Sequence, residues 1–259
     1  MVAELGLGAM DTPNSSAGAD TVNRAIDLGI DFIDTARDYE GSEFLLGQVM
    51  RGREPEGLHI ASKTFSRNIN GSQWDVDKSL RILGTEHISL YQLHDVSTME
   101  AWEEVTGEGG ALEGLQVAQY RELIGHIGVS SHDNEILRLA ITSGHFDTVM
   151  LEYSAFFPET AELIDLAREH DVGVIVMRPV GGSGRTSVMR GRIDEGYQGA
   201  LRPANLLRYV LSHPGVSVAI PGARYPSRIE ENVETVSSYT AMSDAERREI
   251  EQEAANFYE

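Results

Sequence analysis

Eight short apolar runs alternate with amphipathic segments along this chain, and no other feature restricts its fold as much. The runs are Ala3–Leu7, Asp31–Ile33, Leu58–Ser62, Ile88–Leu93, Ile124–Val129, Thr148–Leu151, Gly173–Met177 and Val216–Ile220, and each reads as a strand. Between them, Ala19–Leu28, Gln73–Leu83, Asn134–Ser143 and Glu159–His170 carry apolar residues at helical spacing. Leu206–Leu211 and Ile229–Val236 follow the later strands, and Ser243–Phe257 reads as a last helix with Ser243 as its N-cap. Eight strands alternating with helices in 259 residues predict an α/β fold, a (β/α)8 TIM barrel in a single domain (1–259) with a C-terminal extra helix. A doubly wound open sheet is the runner-up. Dinucleotide binders of that type carry G-x-G-x-x-G after the first strand, and Gly6-Leu7-Gly8-Ala9-Met10 lacks that spacing. Two segments break the rhythm. Gly107–Gly110 reads as a short flexible break, and Gly181–Ala200, rich in Gly, Ser and Arg, reads as a long loop and candidate mobile lid.

Composition removes several function classes. There is no cysteine, which excludes disulfides, thiolate-bound metal and thiol catalysis. No apolar run approaches the roughly 20 residues of a membrane span. The start, Met1-Val2-Ala3-Glu4, has no basic segment leading into an apolar one, so a cytoplasmic location is expected. A net charge of −20 disfavours partnership with nucleic acid or anionic lipid. Lysine is nearly absent: Lys63 and Lys78 are the only two among 21 basic residues. Adaptation to a hypersaline cytoplasm and the arginine bias of a high-GC genome both account for that pattern.

The strand ends carry the chemistry. In a (β/α)8 barrel the active site lies at the C-terminal ends of the strands. The second run ends at Asp34, followed by Thr35-Ala36-Arg37-Asp38-Tyr39; the third ends at Lys63; the fourth, Ile88-Ser89-Leu90-Tyr91-Gln92-Leu93, ends at His94. Four polar groups from three neighbouring strands thus converge at one rim. A tyrosine becomes a useful general acid near neutral pH when a cation stabilises its phenolate. Lys63 supplies the cation, Asp34 holds it, and His94 orients a carbonyl. Nothing in the sequence supplies the attacking group. There is no Gly-x-Ser-x-Gly elbow and no His/Asp/Glu cluster at metal-ligand spacing, so metal sites are expected to be absent. A hydride from a cofactor is the economical answer.

These motifs resemble the aldo-keto reductase family along nearly the whole chain. Asp34, Tyr39, Lys63 and His94 look like that family's catalytic tetrad. The resemblance implies reversible reduction of an aldehyde or ketone with NADPH, NADH being the second choice. Ile127-Gly128-Val129-Ser130 and the adjoining Ser131 look like the segment that contacts the nicotinamide, as does Met150. Met177-Arg178-Pro179-Val180-Gly181-Gly182 resembles the segment under the nicotinamide and along the pyrophosphate. Pro221-Gly222-Ala223-Arg224, then Arg228, Glu231 and Asn232, resembles the segment around the adenosine and its 2′-phosphate. Gly8, Ala9 and Met10 belong to the same cofactor rim. The family often has Gln where Met150 stands, Asn for Ser131 and an aromatic ring for Met177, so details of nicotinamide contact differ here.

Each residue also has a plainer explanation. Asp34 alone is a turn former, Tyr39 a loop aromatic, Lys63 a solvated cation, and His94 a structural histidine; only their joint placement outweighs this. The other histidines, His132 among them, read as surface or structural. An ion pair with Glu230 or Glu231 competes for Arg224 and Arg228. Tyr153 and Met10 read as candidate pocket liners, and Trp74 and Trp102 as packing outside the barrel. The expected partner is a small carbonyl compound, with the protein a monomer or small homo-oligomer. The alternative is a sensor or regulatory barrel that binds NADPH with little turnover.

Overall fold

The computed structural model describes residues 4–53 and 57–257. From the N-terminus, β1 (Leu7–Gly8), α1 (Ser16–Asp27), β2 (Phe32–Asp34), α2 (Ser42–Arg53), β3 (His59–Thr64) and α3 (Ile69–Leu83) alternate. After β4 (Ile88–Leu93) come two helices, α4 (Met99–Thr106) and α5 (Ala111–Tyr120). Then follow β5 (Ile124–Ser130), α6 (Asn134–Thr142), β6 (Thr148–Glu152), α7 (Ala161–Glu169) and β7 (Gly173–Met177). The chain continues through α8 (Gly182–Asp194), α9 (Pro203–Leu211), β8 (Val218–Ile220), α10 (Pro226–Ser238) and α11 (Asp244–Ala255). The strands pair in sequence order, each parallel to the next. The seam between β8 and β1 closes through two parallel bridges, Leu5↔Ala219 and Gly8↔Gly222. The (β/α)8 barrel expected from the alternation is therefore the observed fold.

Strand alternation divides the core in two. Phe32, Ala61, Leu90, Met150, Ile175, Val218 and Ile220 fill the barrel interior. The intervening residues, such as Ile33, Ile60, Tyr91 and Val149, pack outward against the helices in a larger cluster. A period of two then assigns Asp34, Lys63, Gln92 and Met177 to the inward face, one step further toward the C-terminal rim. The helices start where short polar side chains can take the free N–H groups. Ser15, Asn68, Thr98 and Asp133 cap α1, α3, α4 and α6, and Ser243 with Glu246 forms a capping box on α11.

Several boundaries differ from the sequence reading. The first strand was expected over Ala3–Leu7; Ala3 lies outside the described residues, and the paired segment is Leu7–Gly8. β3 runs one residue past Lys63. The larger correction is Gly181–Ala200, which is not a loose loop: its first two-thirds form α8. This helix has almost no amphipathic stripe, so periodicity gives no sign of it. It is held by one buried apolar residue, Met189, and by its arginines. Arg185 stacks on Phe156 and Phe157, and Arg192 stacks on Phe257 and donates to its carbonyl oxygen at 2.7 Å. Gly107–Gly110 is a turn between α4 and α5 rather than a break within one helix.

Candidate active site

The rim of β2, β3 and β4 gathers the polar residues singled out from the sequence. Lys63 is fully buried and its ammonium makes three hydrogen bonds. It donates to Asp34 Oδ2 at 2.6 Å, to the Thr35 carbonyl at 2.9 Å and to the Tyr39 hydroxyl at 3.2 Å. The ammonium also lies 4.7 Å from the centre of the Tyr39 ring. Gln92 Nε2 donates to the other Asp34 oxygen at 3.2 Å. His94 follows β4, stacks on Phe65 with ring centres 4.1 Å apart, and meets Tyr39 edge-on at 5.5 Å.

A second buried network fixes the loop that carries Tyr39. The Arg37 amide donates to the Lys63 carbonyl, and its guanidinium donates to Glu43 Oε2 at 2.6 Å. Glu43, at the start of α2, accepts from Ser62 of β3 and Ser79 of α3, both at 2.6 Å. Ser79 also pairs with the Tyr91 hydroxyl at 2.8 Å. The loop is thus bound to the strand that holds Lys63 by ionic and neutral bonds away from water, where such bonds are strong.

Burial sets the protonation states. It pushes Asp34 up and Lys63 down, each opposed by the other's charge; Gln92 adds to the stabilisation of the Asp34 carboxylate. At 2.6 Å, with every ammonium hydrogen bonded, this is an ion pair. Tyr39 is pushed far above its usual value by burial and then by Asp34, while the Arg178 guanidinium pulls it back. The phenol is therefore protonated near pH 7, and burial makes it a weaker acid than a free tyrosine. His94 is pushed down to about 3, by burial first and then by the Lys63 charge, so its ring is neutral near pH 7.

These groups stand at one end of a cleft of about 570 Å3. Of the residues expected along it, Gly8, Met10, Asp34, Tyr39, His94, Ser130, Met150 and Met177 line its walls. Arg178, Pro179, Val180, Gly182, Pro221, Gly222, Arg224, Arg228 and Asn232 continue it to the far end. Lys63, Ala9, Ser131, Gly181, Ala223 and Glu231 do not reach the surface of the cleft. Lys63 acts from beneath, through Tyr39. The Ala9 and Ala223 carbonyls accept from Ser42 and Thr12, and Ser131 Oγ accepts from the Asp133 amide. Glu231 stands behind the wall and holds two liners at once, Arg228 at 2.6 Å and Arg190 at 2.7 Å. Of the competing ion pairs expected, Arg228 has Glu231, whereas Arg224 lies 3.5 Å from Asp11 instead and Glu230 pairs with Arg24.

One expectation fails. Tyr153 does not line the cleft: it faces the helices, fully buried, and its hydroxyl takes an Arg247 hydrogen at 2.5 Å. His132 is more than a surface histidine, because it lines the cleft with its Nδ1 3.7 Å from Glu152. Arg178 reaches the same carboxylate at 3.2 Å. Burial pushes Glu152 up, and the neighbouring His132 and Arg178 more than offset it, holding the carboxylate below its usual range. Arg190 was missed because it sits on α8, and Phe65 because a lone aromatic after a strand carries no spacing signal. Asp95 and Arg178, both just past strand ends and both lining the cleft, have left-handed backbones with φ of 51°. Such strain gathers at functional sites. Among the described residues, no cluster of three or more His, Asp or Glu could hold a metal ion.

The sequence profile of the aldo/keto reductase family matches residues 4–202. The chain belongs to that family. The uncharacterized oxidoreductase YqkF of Bacillus subtilis is 24% identical over 92% of this chain and 88% of its own length. An aldo-keto reductase from Bacillus halodurans, solved in a holo form, superposes with a TM-score of 0.81 at 23% identity, covering 97% of this chain and 92% of that one. One from Klebsiella pneumoniae, solved in complex with NADPH, superposes with a TM-score of 0.76 at 22% identity, covering 97% and 90%. Membership of the aldo/keto reductase family makes this protein an oxidoreductase of the carbonyl-reducing kind. The profile ends at Arg202, so α9, β8, α10 and α11 lie beyond the matched segment.

Proposed function

We propose that this protein reduces an aldehyde or ketone to the alcohol, reversibly, with NADPH as the hydride donor and Tyr39 as the proton donor. The observation that carries this reading is the Lys63 ammonium, buried and bonded at once to Asp34 and to the Tyr39 hydroxyl at the mouth of the cleft.

The cleft suits a dinucleotide phosphate. Its floor runs over Gly8 and Gly222; a Cβ on Gly8 would stand 2.7 Å from the Ile220 carbonyl oxygen. Gly181 and Gly182 open α8 with left-handed backbones, and Gly182, Thr186 and Ser187 line the cleft there. A helix N-terminus of this kind favours phosphate. Arg190, Arg224 and Arg228 stand further along, where a guanidinium next to a ribose favours NADPH over NADH. Met150 and Met177 offer an apolar wall to the nicotinamide in place of an amide and a ring. The bound complex of the Klebsiella pneumoniae relative supports the same cofactor.

NADPH, when bound, supplies the hydride that makes the carbonyl carbon a C–H centre. The chain's part is the oxygen. Neutral His94 hydrogen-bonds the carbonyl and orients it, and Tyr39 gives its proton to the oxygen as negative charge develops there. Lys63 stabilises the resulting phenolate, and Asp34 keeps Lys63 in place. The four residues keep these roles in the reverse direction, with the phenolate taking the alcohol's proton.

The test is NADPH consumption with a panel of aldehydes, ketones and quinones, run with and without molar KCl. Substrate-dependent oxidation is expected. Tight NADPH binding with no oxidation above background for any carbonyl would sink the enzyme reading and leave the sensor barrel. Equal stability in dilute buffer and molar KCl would remove salt adaptation as the reason for the charge of −20.

A further inference from the structure

Gln92 is a fully buried amide on β4, paired in register with Lys63 on β3. It points into the barrel, and Gly128 on β5 leaves it room: a Cβ on Gly128 would lie 3.0 Å from Gln92 Cγ. Its two ends differ. Nε2 donates to Asp34 Oδ1 at 3.2 Å, while Oε1 is buried with no hydrogen-bond partner among the described residues. An unpaired buried carbonyl destabilises a fold, and a methionine or leucine would fill similar space without one. Packing therefore does not account for the amide, and its donor end does. Lys63 has three hydrogens, and all are used on Asp34 Oδ2, the Thr35 carbonyl and the Tyr39 hydroxyl. Among the described residues, Asp34 Oδ1 has no side-chain donor besides Gln92.

We propose that Gln92 is a positioning residue for this centre: its amide keeps the buried Asp34–Lys63 pair charged, and so keeps an ammonium under the Tyr39 hydroxyl. The consequence for turnover rests on the reductase reading; the consequence for Asp34 does not. Without the amide, a carboxylate oxygen is left bare in the barrel, and a proton moves from Lys63 to Asp34 to neutralise both. A neutral amine no longer stabilises the phenolate, so Tyr39 becomes a weaker acid. The other charged or titratable groups around the centre are Asp38 beside Tyr39, Asp95 and Arg67 beside His94, and His132 and Arg178 across the cleft. Among the described residues, Gln92 and Lys63 are the side chains that hydrogen-bond Asp34.

Gln92→Met tests this, with melting temperature and NADPH fluorescence confirming that the variant folds and binds cofactor. The kcat is expected to fall about tenfold, the effect of losing one hydrogen bond to an ion, with the KM for NADPH unchanged within twofold. A difference infrared spectrum of Gln92→Met against Gln92→Met/Asp34→Asn should show a protonated carboxyl band at neutral pH. Wild type against Asp34→Asn should lack it. Absence of the band overturns the proposal even if kcat falls, because the amide then acts only by packing. Gln92→Glu gives a second reading if the first variant folds poorly. Only its protonated acid can donate to Asp34, so its rate relative to wild type should drop as pH rises; a pH-independent ratio overturns the proposal. The infrared arms need no turnover, so they decide on Gln92 even if no carbonyl is ever reduced.

Discussion

The two ends of the cleft are built differently. At the β2–β4 end, side chains rise from strands and bond to one another out of water. Lys63 and Glu43 are each held by three hydrogen bonds, and the partners lie on β2 and β3, in the loop after β2 and on α3. At the α8–α10 end, Arg190 and Arg228 stand on helices and pair with Glu231, and Arg224, in the loop before α10, pairs with Asp11, all at partly exposed positions. Exposed ion pairs contribute little, a median of about 0–1 kcal/mol, so they exchange readily for a better anion. In the proposed reading, the proton-donating end is set before anything binds, whereas the phosphate-holding end would trade internal carboxylates for an incoming charge. A preorganised reaction centre costs no rearrangement at the moment of reaction. A phosphate site tolerates rearrangement because a flexible arginine still delivers its charge.

Substitutions at the two ends should separate along the same line. The largest effect is expected from Tyr39→Phe, which removes the proposed proton and little else. Turnover should fall roughly 10²–10⁴-fold with NADPH affinity retained, read by steady-state rates beside fluorescence titration. An unchanged rate would remove Tyr39 from the chemistry. A smaller effect is expected from acid. His94 is pushed down to about 3 from an ordinary 6.5 in the fold, so the unfolded chain binds an extra proton between those values. Its contribution to stability is full above pH 6.5 and declines as pH falls toward 3. Urea unfolding from pH 7 to 4 should show wild type losing more stability than His94→Gln; equal slopes would count against a neutral buried ring. The smallest effect belongs to the far end. Arg228→Ala should weaken NADPH by about tenfold and leave NADH unaffected, the loss of one ionic hydrogen bond to phosphate. Equal weakening of both cofactors would mean that the two ends are not divided as described.

The sequence exposes these ends unevenly, for physical reasons. Strands buried on both faces are continuous apolar runs, and a polar residue that closes such a run stands out. Asp34, Lys63 and His94 are legible for that reason, and the rarity of lysine made Lys63 more so. The helical end depends on residues whose meaning is tertiary. α8 shows no apolar stripe because Phe156, Phe157 and Phe257 bind its arginines rather than its aliphatic face, so Arg190 stayed hidden in an apparent loop. His132 becomes a cleft residue through Glu152, two strand residues past Met150 on the same face. The same alternation, applied to β6, turns Tyr153 outward, and so the expectation that it lined the pocket was avoidable. The bounds of β1 differ because so little of it pairs: among the described residues, two strand residues and the bridges at Leu5 and Gly8 join its backbone to its neighbours.

That brevity has a consequence at the level of the whole ring. A barrel of eight strands has one place where the first part of the chain must meet the last, and among the described residues the strands meet there through two isolated bridges, backed by side-chain bonds such as Thr12 to the Ala223 carbonyl and Arg224 to Asp11. The floor of the cleft, Gly8 facing Gly222, lies on this junction. A molecule resting there touches both margins of the ring and acts as its clasp. In the proposed reading, closing the circle and filling the cleft are linked, and occupancy is expected to raise resistance to unfolding.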